Sequence, residues 1–249
     1  MDLSESVGGN FNRRAATYNE HADVQRRAAK WLAEWIETGL PQSARMWELG
    51  SGTGFFTREL LRRGYRVLAT DIAPEMVARG RIECPDADWA IHDSWRLPEN
   101  VCDRIFSSSL LQWMPDPAKI LPIFHAALRA GGKMLHGFFV APTLHELYSL
   151  ADLRSFPLRW RSEEEWVAAF RAAGFDVLRA ESSQCRITYS GAAEFLRNLK
   201  NTGATGGTGN VSVGELRKIL VEYDKKFGDN NGGVFATWRC FRIEVARKD

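Results

Sequence analysis

The chain carries the glycine-rich stretch Glu48-Leu49-Gly50-Ser51-Gly52-Thr53-Gly54 directly after a short apolar run, and Asp71 ends the next apolar run. In an α/β protein, the turn between the first strand and its helix lets a ligand approach the backbone, which glycine permits because it has no Cβ. The following helix presents free N–H groups to a negative group of that ligand. A carboxylate about 20 residues later accepts hydrogen bonds from ribose hydroxyls. The pattern therefore predicts a site for a cofactor that contains adenosine.

The spacing and charge of this stretch separate two kinds of cofactor. The glycines follow the pattern G-x-G-x-G, and Phe55 stands where the dinucleotide fingerprint requires a further glycine. Glu48 puts a carboxylate at the end of the predicted strand, where it suits a cationic ligand better than a pyrophosphate. S-adenosylmethionine is such a ligand because its ammonium and sulfonium groups are both positive. With Asp71 and Asp93 each near the end of a predicted strand, the residues favour S-adenosylmethionine as cofactor and S-adenosylhomocysteine as its product.

The bulk composition predicts a folded enzyme without a general affinity for nucleic acid or membranes. The chain has 249 residues, of which 45% are hydrophobic and 26% are charged, as in globular domains with a packed core. Its net charge of +2 is too small to indicate general nucleic-acid binding. The sequence has neither an apolar run of membrane-spanning length nor the hydrophobic segment of a secretion signal. A cytoplasmic enzyme is expected, and we take it to be a monomer.

The cysteine and histidine residues give no sign of a metal site. The cysteines are Cys84, Cys102, Cys185 and Cys240, and no two of them have the C-x-x-C spacing of a metal or redox motif. The histidines are scattered without an H-x-x-x-H pair. We therefore expect reduced cysteines and no bound metal.

Apolar strand patterns alternate with helical patterns from residue 45 to residue 139. Strands are predicted at 45–49, 66–70, 89–92, 104–107 and 133–139. Helices are predicted at 55–63, 74–82 and 116–131. This alternation predicts an α/β fold in which helices cover both faces of a mostly parallel sheet.

The flanking segments predict further helices and an antiparallel strand. Residues 1–17 are polar and contain glycine, so they are expected to be mobile and no helix is predicted there, whereas 18–36 has the apolar spacing of one helix. Later helices are predicted at 143–153, 162–173, 190–200 and 212–227, strands at 176–180 and 186–189, and a glycine-rich loop at 201–210. The final strand, 234–246, is expected to lie antiparallel at the edge of a seven-stranded sheet.

These elements predict one domain over residues 1–249. Its expected parts are an N-terminal helical lid (1–40), a cofactor-binding core (41–183), an inserted lid (184–233) and the final strand (234–249). Glycines in the loop, among them Gly203 and Gly206, give the inserted lid hinges.

Several blocks of the sequence resemble known methyltransferases. The glycine-rich stretch, Asp71, Asp93 and the strand around Phe106 together resemble class I S-adenosylmethionine-dependent methyltransferases. Further blocks resemble the malonyl-acyl-carrier-protein O-methyltransferases of biotin synthesis. These blocks are Phe11-x-x-x-Ala15-x-x-Tyr18-x-x-x-Ala22-x-x-Gln25, the segment 106–113 ending in Gln112-Trp113, Thr143-Leu144-His145-Glu146-Leu147, Leu199-Lys200-Asn201-Thr202-Gly203-Ala204, and the closing Val245-Ala246-Arg247.

The resemblance implies both a fold and a reaction. The fold is that of a Rossmann-like class I methyltransferase with a helical lid. The reaction is methyl transfer from S-adenosylmethionine to the free carboxylate of a malonyl thioester, carried by acyl carrier protein or by coenzyme A. The product is a methyl ester, which masks the charge so that the malonyl unit can enter fatty-acid synthesis as an apolar primer.

Candidate site residues follow from the motif and the resemblance. The predicted cofactor-binding residues are Glu48, Gly50, Ser51, Gly52, Gly54, Asp71, Ile72, Met76, Asp93, Ser94, Trp95, Ser107 and Ser108. The predicted substrate-binding residues are Tyr18, Trp113, His145 and Lys200, of which Tyr18 and Lys200 orient the carboxylate. Because a carboxylate is already ionised at neutral pH and needs no general base, we expect a closed and partly aromatic pocket.

Three other functions stay open on the sequence alone. The first is a methyltransferase with another small-molecule acceptor, because a fold does not fix a substrate. The second is a nicotinamide-dependent oxidoreductase, which Phe55 in place of glycine disfavours. The third is a protein that binds S-adenosylmethionine without catalysis.

Overall fold

The structure is a computed structural model that describes residues 3–150, 160–203, 212–229 and 232–248, with only the backbone described for residues 3–6. The described residues form seven strands and ten α-helices. The strands are β1 (Met46–Leu49), β2 (Leu68–Asp71), β3 (Asp88–Ile91), β4 (Cys102–Ser108), β5 (Leu128–Phe139), β6 (Phe175–Tyr189) and β7 (Val234–Arg247). The helices are α1 (Leu3–Arg14), α2 (Tyr18–His21), α3 (Asp23–Ala33), α4 (Phe55–Leu61), α5 (Pro74–Glu83), α6 (Pro117–Ala127), α7 (His145–Tyr148), α8 (Glu163–Ala172), α9 (Ala192–Asn201) and α10 (Val213–Lys226).

The strands form one sheet in the order β3-β2-β1-β4-β5-β7-β6. Strands β1 to β5 are parallel to one another, and β7 runs antiparallel to both β5 and β6. The prediction of a mostly parallel seven-stranded α/β sheet is therefore confirmed. The antiparallel strand lies second from the edge instead of at the edge, because β6 pairs along its outer side.

Strand β6 is longer than the two short strands that the sequence predicts. Those strands, 176–180 and 186–189, are parts of one 15-residue strand, and β7 pairs with it from Phe175 to Tyr189. The polar residues between them are mostly exposed on this outer strand, which is why their pattern suggests a loop. The expected boundary between residues 183 and 184 lies within this strand, so regular structure continues across it.

Helix α6 is shorter than predicted. The sequence predicts a helix up to residue 131, but α6 ends at Ala127 and β5 begins at Leu128. The Ala127 carbonyl accepts a hydrogen bond from the Val101 N–H at 2.9 Å. Pairing with the segment that leads into β4 therefore takes the backbone groups that a longer helix would use.

The N-terminal segment differs from the prediction in two ways. Residues 3–14 form α1, and Asn12 fixes this helix to the protein because its Oδ1 accepts the Glu75 N–H at the start of α5. The single helix predicted for 18–36 is interrupted at Ala22, whose φ and ψ are −94° and 40°. This break separates α2 from α3 and lets the two short segments follow different directions.

Two predicted segments lie partly outside the described residues. Of the helix predicted at 143–153, the structure describes α7 and the residues up to 150. Of the loop predicted at 201–210, it describes Asn201, which ends α9, and the next two residues. Gly206 and the other glycines proposed as hinges beyond Gly203 lie outside the described residues.

Apolar side chains cover both faces of the sheet. On one face, α6 and α8 contribute Phe124, Trp166 and Phe170 to a buried cluster with sheet residues such as Phe138. On the other face, side chains of α3 and α4 pack against β4 and β5. A third cluster joins α9 and α10 to the ends of β6 and β7. No helix in the described ranges is long and apolar enough to cross a membrane.

The strand order creates a crevice beside β1. This strand pairs with β2 on one side and with β4 on the other, so the chain leaves β1 toward one edge of the sheet and later returns to its opposite side. In open α/β sheets, ligands bind outside the carboxyl ends of the strands at such a switch point. The end of β1 is therefore where a cofactor site is expected.

Replacement of Gly80 by alanine tests the packing of α5 on the sheet. A Cβ on Gly80 would overlap the indole ring of Trp89 in β3, and this ring is tied down because its Nε1–H donates to the Cys84 carbonyl at 3.0 Å. We expect Gly80→Ala to lower the free energy of unfolding by about 1–3 kcal/mol in urea denaturation. Gly214→Ala in α10, where no described atom lies within 4 Å of the new Cβ, is the control and should not destabilise. Equal effects of the two substitutions would contradict this packing.

Candidate active site

A cavity lies over the carboxyl ends of β1, β2 and β4 and contains about 900 Å³ of space, open solvent at its mouth included. The predicted cofactor-binding residues that line it are Glu48, Gly50, Ser51, Gly52, Asp71, Ile72, Met76, Asp93, Ser94, Trp95 and Ser108. The structure thus brings together residues from four separate segments of the sequence.

The turn after β1 has the backbone that its glycines predict. Gly50 and Gly52 have φ values of +62° and +56°, which glycine adopts without strain. No described atom lies within 4 Å of a Cβ built on Gly52, so a side chain there would stand in the cavity. Ser51 stabilises the turn because its N–H donates to the Thr70 carbonyl at 2.8 Å. The turn therefore offers exposed backbone to a ligand.

Asp71 is held in position by two backbone donors. The Gly52 N–H donates to Oδ2 and the Ala73 N–H donates to Oδ1, each at 2.9 Å. Burial raises the pKa of the Asp71 carboxyl, and the backbone hydrogen bonds partly offset this effect. Each carboxylate oxygen can accept more than one hydrogen bond, so the fixed carboxylate can still accept from a ligand diol.

Glu48 is a buried carboxyl group at the end of β1. It is 1% exposed, and its Oε2 accepts the Thr57 hydroxyl of α4 at 2.6 Å. Burial raises its pKa to about 8, against the lowering effect of the Thr57 hydrogen bond. A cation in the cavity would favour the ionised form of Glu48. In that form, Glu48 can balance the charge of a positively charged ligand, as the sequence predicts.

The far end of the cavity combines a carboxylate with apolar and aromatic groups. Asp93 accepts the Trp95 N–H at 3.0 Å and pairs with Arg96 at 3.2 Å. The Trp95 ring stacks on Phe124 of α6, with ring centroids 6.2 Å apart. These contacts hold Asp93 and Trp95, two of the predicted cofactor-binding residues, in the wall of the cavity.

Two predicted cofactor residues do not line the cavity. Ser107 is fully buried, and its hydroxyl bonds to His136 Nδ1 at 2.7 Å, because alternate side chains of β4 point to opposite faces. Gly54 begins α4 with a φ of +93°, and a Cβ there would come within 2.9 Å of the Cys84 sulfur. The structure thus gives Gly54 a packing role beneath the turn.

The predicted substrate residues divide into two pairs. Tyr18 and Trp113 line the cavity, and both rings lie against Phe11, at centroid distances of 6.1 and 5.9 Å. His145 and Lys200 do not line it. The His145 side chain is half exposed and lies 3.6 Å from Glu146, and Lys200 is exposed on α9.

Sequence reasoning missed part of the lining. The additional lining residues are Val7, Gly8, Phe11, Gln25, Thr53, Phe55, Phe56, Ser109 and Leu110. The first three belong to α1, in a segment for which the sequence predicts no helix. The spacing of Val7, Phe11 and Ala15 by four residues is a signal for one buried helical face. Gln25 lies on α3, and the others are sequence neighbours of predicted residues.

No cluster of three or more His, Cys, Asp or Glu side chains arranged to hold a metal ion is found within the described ranges. His136 is buried against Phe170, where burial lowers its pKa to about 3. Its ring is neutral at physiological pH, and it lies outside the cavity lining.

Fold and cavity together define a Rossmann-like methyltransferase, and comparison with known proteins agrees. A family model described as a methyltransferase domain matches residues 18–180. The chain belongs to this methyltransferase family. The solved structure of the YcgJ protein from Bacillus subtilis has the same fold, with a TM-score of 0.66 at 16% identity over 90% of this chain and 99% of that one.

Two relatives are similar over most of the chain. One is the malonyl-[acyl-carrier protein] O-methyltransferase of Paenibacillus sp. (strain JDR-2), 29% identical over 94% of this chain and 95% of its own length. The other is the biotin biosynthesis bifunctional protein BioHC of Cellvibrio japonicus (strain Ueda107), 31% identical over 86% of this chain. The chain spans 43% of that bifunctional protein.

The substitution Asp71→Asn tests whether this carboxylate binds the cofactor. The variant keeps the side-chain shape but loses the charge and one acceptor. We expect S-adenosylmethionine to bind about 10- to 100-fold more weakly in calorimetry, as for loss of a hydrogen bond to a charged group. The control Asp88→Asn, on the exposed side of β3, should leave the affinity unchanged. Unchanged affinity in Asp71→Asn would contradict the assignment.

The substitution Glu48→Gln tests the raised pKa. The folded protein keeps the proton of Glu48 up to about pH 8, whereas the unfolded chain releases it near 4.5. Between these values unfolding releases a proton, so the free energy of unfolding falls as pH rises. We expect Glu48→Gln to lose this part of the decline and to gain stability relative to wild type from pH 5 to pH 8 in urea denaturation. A parallel pH dependence in the two proteins would contradict the burial of this carboxyl.

Proposed function

We propose that this chain transfers a methyl group from S-adenosylmethionine to the free carboxylate of a malonyl thioester, giving a methyl ester in biotin synthesis. The observation that carries the proposal is that this chain combines a cofactor cavity with similarity to a named relative. The chain has a cavity on the β1 turn that suits S-adenosylmethionine, and it is similar, over nearly the full length of both chains, to a relative named for methylation of malonyl-acyl carrier protein.

The cavity residues suit the parts of the cofactor. Gly50 and Gly52 leave room for the methionine portion beside the backbone, Asp71 accepts from the ribose diol, and Ile72 and Met76 flank the adenine. When bound, S-adenosylmethionine supplies a methyl group that the acceptor oxygen takes with its own lone pair, while the electron pair of the broken carbon–sulfur bond stays on a neutral thioether sulfur. Glu48 balances part of the positive charge in the cavity, and no metal is required.

The acceptor carboxylate needs alignment with the methyl donor and exclusion of water more than it needs a general base. A carboxylate is ionised at neutral pH, so the protein has to orient it and exclude water. Phe11, Tyr18 and Trp113 supply aromatic walls for this purpose. Burial and the charge of Asp71 raise the pKa of the Tyr18 hydroxyl, which keeps its proton and remains a hydrogen-bond donor at physiological pH.

The exposed basic residues suit a role at longer range. Lys200 is exposed on α9, and Arg14 nearby donates to Asn201 at 3.0 Å. We assign to Lys200 the attraction of an anionic substrate or its acidic carrier protein, which a surface charge exerts without contact. His145, half exposed beside Glu146, keeps its proposed place on the substrate side.

The same proposal covers the compartment, the oligomeric state, the substrate carrier and the lids. The enzyme acts as a cytoplasmic monomer on a thioester held by acyl carrier protein or coenzyme A, with no part for nucleic acid or membrane. Its N-terminal segment 1–40 and the insertion 184–233 act as lids around a core at 41–183, closed by the strand segment 234–249. A methyltransferase acting on another small acceptor is the second candidate, because many acceptors are compatible with this fold.

An acceptor panel tests the proposed function. S-adenosylmethionine labelled in its methyl group is incubated with malonyl-acyl carrier protein, malonyl-coenzyme A and free malonate, with acetyl-coenzyme A as the control that lacks a carboxylate. We expect a base-labile labelled ester on a malonyl thioester and no label on the acetyl thioester. Binding of S-adenosylmethionine without transfer to either malonyl thioester would contradict the proposal, and tight binding of NAD in calorimetry would favour an oxidoreductase.

A further inference from the structure

A second, smaller space adjoins the cofactor cavity and contains about 310 Å³ of space, open solvent included. We name it the acceptor chamber and define it by its lining. The lining residues are Phe11, Tyr18, Gln25, Ser109, Gln112, Trp113, Phe139, Trp160 and Trp238. Five of them, Phe11, Tyr18, Gln25, Ser109 and Trp113, also line the cofactor cavity, so the two spaces share one wall.

The acceptor chamber is aromatic and uncharged. Six of its nine described lining residues are aromatic, and none is Asp, Glu, Lys, Arg or His. The cofactor cavity differs, because it contains the carboxyl groups of Glu48, Asp71 and Asp93. A ligand that spans the shared wall therefore passes from an acidic space into a neutral one.

Several polar atoms of the chamber lining are buried and have no partner. They are the Gln25 Oε1, Gln112 Oε1, Ser109 Oγ, Trp113 Nε1, Trp160 Nε1 and Trp238 Nε1 atoms, and Gln25, Gln112 and Trp113 are each less than 9% exposed. An unpaired buried polar group costs about 1–3 kcal/mol. Six such atoms around one chamber indicate a ligand that pairs with at least some of them.

Ser109 is held at the shared wall in an unusual backbone conformation. Its φ is +61°, a region that non-glycine residues seldom adopt and that is frequent at functional sites. Its N–H donates to the Gly137 carbonyl at 2.7 Å, and its own carbonyl accepts the Gln112 Nε2 group at 2.8 Å. Gln112 is thus a positioning residue, and the Ser109 hydroxyl stays unpaired at the wall.

The Gln25 amide and the Trp113 indole offer the other two donors. No described residue hydrogen-bonds the Gln25 side chain, so rotation of its amide can present the NH₂ group to a ligand. The Trp113 ring is fixed by its edge contact with Phe11, and its N–H can only donate. Both residues line the cavity and the chamber.

We propose that the Gln25 amide, the Ser109 hydroxyl and the Trp113 indole N–H hold the carboxylate of the methyl acceptor at the wall between cavity and chamber. This inference rests on the proposed function for the charge of the acceptor, and it identifies the groups that select it. Uncharged donors orient a carboxylate without the strong charge-assisted bond of Lys or Arg, which would stabilise the anion against methylation.

The neutral lining also sets the specificity. Esterification removes the negative charge of the acceptor, and a dry, uncharged chamber favours this neutralisation. A second carboxylate would be buried there without a partner, which is strongly unfavourable. The chamber therefore selects a short acyl unit with one free carboxylate, such as a malonyl thioester, over a dianion such as free malonate.

The test compares binding of two small thioesters to protein saturated with S-adenosylhomocysteine. Malonyl-pantetheine has the carboxylate, and butyryl-pantetheine replaces it by a methyl-terminated chain. The variants are Trp113→Phe, Gln25→Leu and Ser109→Ala, and the matched controls are Trp35→Phe and Gln184→Leu, which lie outside both spaces. Far-UV circular dichroism and a thermal melting curve that match wild type verify that each variant is folded.

We expect each chamber variant to bind malonyl-pantetheine about 10- to 100-fold more weakly, with little change for butyryl-pantetheine. In a separate turnover assay with S-adenosylmethionine, the variants should show a rise in KM greater than the fall in kcat. The controls should match wild type. If Trp113→Phe and Gln25→Leu keep the wild-type preference for the malonyl compound, the assignment is wrong.

The same experiment separates the inference from the proposed function. If wild type methylates no malonyl thioester, the proposed function fails. The preference for malonyl- over butyryl-pantetheine in binding then still tests the assignment of the acceptor chamber. If wild type methylates the malonyl thioester and the chamber variants bind it normally, only the chamber assignment fails. Methylation of free malonate as efficient as that of the thioester would contradict the proposed specificity.

Discussion

The cofactor site depends on one hydrogen bond, which the Gly52 N–H donates to the Asp71 carboxylate at 2.9 Å. It joins the turn after β1 to the end of β2 and so fixes the distance between the two walls of the cavity. Asp71 also accepts the Ala73 N–H, which sets the start of α5. A buried carboxylate is costly unless it is paired, and the left-handed backbone of Gly52 belongs to the turn that supplies this donor.

The site consists of two neighbouring spaces of different electrostatic character. The carboxyl groups of the cofactor cavity favour a cation, whereas the acceptor chamber has only neutral polar groups for an anion. Methyl transfer from a sulfonium to a carboxylate leaves two neutral groups, so it is favoured where water is excluded. Tyr18, Gln25 and Ser109 stand where the two spaces meet. The first two lie on the consecutive helices α2 and α3, and Ser109 follows β4.

The parts of the site that the sequence predicted are those that local geometry controls. The turn at 50–54 and Asp71 could be found because strand, turn and helix follow one another in the chain. Ser107 and Ser108 are adjacent in β4, so their side chains point to opposite faces of the sheet. The sequence does not show which of the two faces the cavity. Helix α1, the full length of β6 and the roles of Gln25 and Ser109 depend on packing between distant segments. Lys200 and His145 were selected by resemblance alone, and the structure leaves both outside the cavity lining.

The most direct test of the account is a crystal structure of the protein with S-adenosylhomocysteine and malonyl-pantetheine. The account predicts the ribose hydroxyls within hydrogen-bond distance of the Asp71 carboxylate and the homocysteine portion along Gly50 and Gly52. It also predicts the malonyl carboxylate between Gln25 and Trp113, with one oxygen facing the sulfur. A cofactor bound elsewhere, or bound here without contact to Asp71, would contradict the account.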